Sequence, residues 1–160
     1  MSIDYFEDIK LHQKYRSNKE YHLSEKEIID FATEWDPQPL HTDPEFARNT
    51  TFGGLVASGS HLVALCAKLG HRTGSKVAGI AGLGWHEVQF VAPARPGDAF
   101  IVEYEVIGKR ASKSDTNAGI IRFATRLLNQ HNQPVLTFET SLLVEKRPAK
   151  GTPSSQSSAR

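Results

Sequence analysis

The chain has 160 residues, enough for one domain with a sizeable core, and its 19 Lys plus Arg against 18 Asp plus Glu leave a formal charge of +1. With no basic stripe, that balance argues against nucleic acid as a partner; the closest approach, GKRASK at 108–113, fits a charged hairpin tip. One cysteine, Cys66, excludes an intramolecular disulfide and a cysteine-based zinc site, and its apolar neighbours place it in the core as an inert residue.

The chain opens on MSIDYFEDIK, polar and acidic, unlike a signal or transit peptide. No apolar run approaches the roughly 20 residues of a spanning helix. A cytoplasmic protein with no membrane partner is expected. Residues 24–27, SEKE, have the form of a capping box, and Ile28, Ile29, Phe31, Ala32 and Trp35 follow at helical spacing, so a helix is predicted over 25–34. It delivers the chain to TEWDPQPLHTDPEFA, residues 33–47, where Asp36 and His41 lie five positions apart. Pro37 and Pro39 restrict their own φ and the residues before them, which predicts a stiff extended turn that is neither helix nor strand. Two readings fit: ordinary Asp-Pro turn chemistry with a surface histidine, or a rigid mount for two side chains in a fixed relation.

Asp43 as N-cap and Pro44 at the first helical position predict a short helix over 44–49. SGSHLVALCAKLG, 58–70, is the most apolar helix candidate; Leu62, Val63, Leu65, Cys66 and Leu69 cover more than one stripe, so burial on most sides is expected. Its start carries Ser58, Gly59 and Ser60, small residues that leave the first backbone N–H groups approachable. From there the pattern changes to strands at 80–93, 98–110, 117–129 and 134–146, with alternation such as Phe100, Val102, Tyr104, Val106 and with turn chemistry between them. The final RPAKGTPSSQSSAR, 147–160, is polar and Ser-rich and is expected to be a disordered tail beyond a single domain of 1–146. Helices first and an antiparallel sheet second make the class α+β. One very apolar helix needs a curved sheet to wrap it, which describes a hotdog fold.

The run Asp36, Pro37, Gln38, Pro39, Leu40, His41, then TDPEF, then Ala47, resembles the signature of the MaoC-like dehydratases and (R)-specific enoyl-CoA hydratases, which have a hotdog fold. In that signature an Asp is followed by any residue, Asn, Pro, an aliphatic residue and His, with Ala or Ser six positions on. VQFVAPARPGD, 88–98, is similar to a strand-and-turn element of the same family, and the resemblance spans about residues 5–146. Two positions depart from it: Gln38 stands where Asn is usual, and Trp35 where Gly often precedes the Asp. The longer amide of Gln38 keeps the capacity to position the loop or a water.

The resemblance implies a lyase that adds water to a 2-enoyl thioester or removes it from a 3-hydroxyacyl thioester, with Asp36 and His41 as the catalytic acid–base pair. A positioned base of this kind typically contributes about 10²–10⁴-fold. The resemblance also implies that the backbone N–H of Gly59 forms the oxyanion hole, which agrees with the unpaired N–H groups and positive dipole end of a helix start. Ser58, Ser60 and His61 would line the pocket or hold the loop. His61 and His86 are more often structural in such positions than catalytic. A metal site from His41, Asp43 and His61 is rejected for lack of any recurring ligand spacing. No cofactor is expected beyond the coenzyme A of an acyl-CoA substrate. The expected assembly is a homodimer, or a higher even-numbered oligomer, because hotdog domains pair the edges they expose. Two other readings stay open: a hotdog thioesterase attacking the thioester carbonyl, and a non-catalytic acyl-thioester binder.

Overall fold

The computed structural model describes residues 2–148. Of the expected tail, residues 149–160 lie outside the described residues. Arg147 is tied to the domain: its guanidinium bonds both carboxylate oxygens of Asp8, and its backbone N–H donates to Glu7 Oε2 at 2.8 Å.

Four long strands carry the fold: β5 (Gly79–Phe90), β6 (Ala99–Ala111), β7 (Ala118–Leu128) and β8 (Pro134–Glu145). Each lies within one or a few residues of its predicted span. They pair antiparallel in the order β6-β7-β8-β5, and the short strands β2 (Lys14–Arg16) and β3 (Tyr21–His22) join the outer edge of β6. Alternation sorts the two faces. Phe100, Val102, Val106, Ile121, Phe123, Leu127, Leu136 and Phe138 point inward, while Glu103 pairs with Arg126 and Arg122 with Glu139 outside. A separate parallel pair, β1 (Ser2–Asp4) with β4 (Ser75–Val77), closes one end. These short strands carry too few residues for a visible period, and none was expected from the sequence.

Helix α1 (Glu25–Trp35) begins with the predicted capping box: Ser24 Oγ accepts from the Glu27 N–H, and Glu27 Oε2 accepts from the Ser24 N–H. α2 (Pro39–Thr42) is a correction to the extended turn read from the prolines. Proline suits a first helical position, so Pro39 starts a helical turn rather than preventing one, and His41 sits within it. α3 (Pro44–Arg48) follows, capped by Asp43 Oδ1, which accepts from the N–H groups of Glu45 and Phe46.

The concave face of the sheet holds α4 (Gly59–Gly70), with Ser58 as N-cap. Leu62, Leu65, Cys66 and Leu69 pack against Phe100, Val102, Leu127, Leu136 and Phe138 in the main core. A buried aliphatic side chain of this kind stabilises by about 1.5–3 kcal/mol. The sheet wraps the helix as in a hotdog. The burial is narrower than expected, however: Ser60, Ala64, Ala67 and Lys68 form an exposed stripe along α4. It opens on the side of β5, whose residues are nearly all exposed.

Candidate active site

Asp36 is the C-cap of α1 and His41 lies one short turn later, so the C-terminal end of one helix and the start of the next fix their relation. His41 is buried, and its Nδ1 lies 2.7 Å from the carbonyl oxygen of Val56. A carbonyl only accepts, so Nδ1 carries a proton, and in the tautomer this leaves to the neutral ring the lone pair lies at Nε2. That nitrogen lies 3.8 Å from Asp36 Oδ2, too far for a direct hydrogen bond. Two acceptors therefore face each other across a gap that suits a water donating one proton to each. The other carboxylate oxygen, Asp36 Oδ1, accepts from Gln38 Nε2 at 2.9 Å. With Oδ1 taken by Gln38, Oδ2 is the oxygen that faces His41.

Val56 precedes Ser58, the N-cap of α4, by two residues, so its carbonyl links the His41 ring to the segment that carries Ser58 and Gly59. Ser58, 1 % exposed, accepts from the His61 N–H at 3.3 Å, and its Oγ lies 3.1 Å from Ser60 Oγ. Among the described residues no acceptor meets the Gly59 N–H, which stays available at the positive end of the helix. A Cβ at Gly59 would lie 2.5 Å from Cζ of Phe90, so only glycine allows that ring to approach.

His61 takes a different place from the pair. Its ring stacks on Phe31 of α1 with centroids 4.3 Å apart, and its Nδ1 is buried with no hydrogen-bond partner among the described residues. Burial holds its pKa below the ordinary imidazole value. His86 lies exposed on β5, paired in register with Glu139. Cys66 is a free, buried thiol whose pKa burial pushes up to about 12, as an inert core residue requires. A cavity of ≈540 Å³ opens at the far end of α4, between Ala67 and Gly70 on the helix and Gly79–Gly82 on β5, with Tyr104 and Phe123 behind. It does not include Asp36 or His41. No place at the site or the cavity was read from the sequence for Val56, Phe90 or Tyr104. A backbone carbonyl leaves no trace in residue identity, and the two aromatic residues are indistinguishable there from ordinary strand residues.

Residues 8–125 match the model of the MaoC-like domain family. The chain is 31 % identical over 129 residues to the uncharacterized protein YdeM of Bacillus subtilis, covering 80 % of this chain and 90 % of that one. It is similar in structure to a MaoC-like dehydratase from Rhodospirillum rubrum, with a TM-score of 0.84, 36 % identity, and coverage of 91 % of this chain and 99 % of the other. The (R)-hydratase PhaJ1 of Pseudomonas aeruginosa, without ligand, superposes with a TM-score of 0.71 at 26 % identity over 93 % of this chain and 94 % of its own.

Proposed function

The chain belongs to the MaoC-like domain family, and on that premise we propose that it is a hydratase or dehydratase acting on a 2-enoyl or 3-hydroxyacyl thioester, with acyl-CoA as the substrate. The observation that carries the proposal is the opposed pair of acceptors, His41 Nε2 and Asp36 Oδ2, on a short helical turn beside a free helix N-terminus.

Hydration needs a base for water and a place for negative charge. A water held between Asp36 and His41 gives one proton to the pair as its oxygen bonds to the β-carbon. Charge gathers on the thioester oxygen, where the Gly59 N–H donates; one such donor is typically worth about 2.7–4 kcal/mol in the transition state. A proton from the pair then closes the enolate at the α-carbon, so the water is fully consumed and no redox step occurs. Dehydration is the same path reversed. The chemistry calls on no metal or redox cofactor; coenzyme A enters only as part of the substrate. A cytoplasmic setting belongs to the same proposal, in keeping with the unpaired thiol of Cys66.

The assembly proposed is a homodimer. Among the described residues β5 ends the sheet with one edge unpaired, and Ile80, Leu83, Trp85, Val88 and Phe90 are exposed along it, beside the small-residue stripe of α4. A second copy meeting this face would cover both.

The test replaces the proton acceptors and keeps their shape. Asp36→Asn and His41→Gln should each lower turnover of an enoyl-CoA by about 10²–10⁴-fold. Binding of a saturated acyl-CoA should persist. The double variant should be little worse than either single, because groups that act on one water are not additive. Near wild-type turnover in either single variant would make the pair structural.

A further inference from the structure

Strict alternation along β5 would place Phe90 on the outer face of the sheet. Trp85 pairs with Thr140 and Phe90 with Leu136, so six residues on β5 span the same length as five on β8. The extra residue lies in the register shift between His86 and Gln89, where Glu87 adopts a left-handed φ of 53°. Such a bulge bends the strand and re-aims the side chains beyond it. Leu136 faces the core with Leu62 and Leu65 of α4, so its partner Phe90 is turned to the same, concave face. There its ring edge meets Gly59, with Cζ, Cε1 and Cε2 at 2.5, 2.7 and 3.0 Å from where a Cβ would stand. The rest of the ring is open, leaving Phe90 57 % exposed. A non-glycine residue at positive φ is strained, so the sequence tolerates a cost to put this ring beside the first turn of α4.

We propose that Phe90 is a specificity-determining residue that bounds the space beside the Gly59 N–H and rejects acyl groups branched at the carbon next to the thioester carbonyl. The inference rests on the reading above, in which that N–H receives the thioester oxygen. The α-carbon is then only two bonds from the oxygen, and a substituent on it competes with the ring tip for the same space. A hydrophobic wall of this kind discriminates a methyl group by about 10–200-fold.

The experiment compares kcat/KM for but-2-enoyl-CoA and 2-methylbut-2-enoyl-CoA, which differ only in the α-methyl group. The wild type should prefer the unbranched thioester. Phe90→Ala should raise the branched-to-unbranched ratio at least about tenfold, and Phe90→Leu should raise it less, in the same direction. An unchanged ratio in a variant that still hydrates the unbranched substrate would overturn the inference and leave the hydratase reading intact. If Phe90→Ala does not fold, the ratio for Phe90→Leu decides. A wild type that hydrates no unbranched enoyl-CoA would instead overturn the hydratase reading itself, and this inference with it.

Discussion

His41 presents a lone pair at Nε2 because a backbone carbonyl, that of Val56, holds the proton on its other nitrogen. Gln38 does the same service for Asp36, occupying one carboxylate oxygen so that the other faces the ring. His61 is the contrasting case: an imidazole buried against Phe31, with one nitrogen unpaired and its proton affinity lowered by burial. Above about pH 6.5 neither the folded nor the unfolded chain protonates this ring, and it has no effect on the pH dependence of stability. As pH falls below that value the unfolded chain takes up the proton first, so stability is lost until the lower folded pKa is passed. His61→Leu removes both the unpaired nitrogen and this linkage. Its thermal midpoint should exceed that of the wild type by a larger margin at about pH 5.5 than at about pH 7.5. An equal margin at both would show that His61 is not neutral and buried in the folded state.

At the scale of elements, the site is a meeting of caps. Asp36 is the C-cap of α1, α2 starts at Pro39, and Ser58 is the N-cap of α4. Ser24 sets the beginning of α1 through its capping box, so Ser24→Ala should cost about 1 kcal/mol. That loss should lower the melting temperature by a few degrees while kcat stays within about twofold of the wild type. A large loss of kcat without melting would mean that α1 is held in place through Ser24 alone. The helices with local caps were legible in the sequence for the same reason they are stable: Ser24 with Glu27, and Asp43 with Pro44, act within one turn. Asp36 and His41 were legible because they share one short segment. The turn at Pro39 was misread because a proline that blocks a helix interior also starts a helix. The bulge at Glu87 could not be read, since an extra residue in one strand is defined only against the partner strand. The open stripe on α4 was hidden because Ala64 and Ala67 count as apolar whether or not anything covers them.

For the molecule as a whole, the incomplete face is the one formed by β5 and α4. The described residues contain no helix long and apolar enough to cross a membrane, so the exposed Leu83, Trp85 and Phe90 are not part of such a span. Light scattering at micromolar concentration should give a mass of twice 17.7 kDa, or a higher even multiple. Leu83→Asp on the open strand should shift the population toward monomer, and a wild type that is monomeric throughout would contradict pairing through this face. Hydration and hydrolysis of a thioester are told apart by following two signals at once in wild-type protein given a 2-enoyl-CoA. A hydratase should abolish the conjugated enoyl absorbance with no release of free thiol, because water adds at the β-carbon and the thioester survives. Thiol released in step with substrate loss would contradict the hydratase reading, since water would then be attacking the carbonyl.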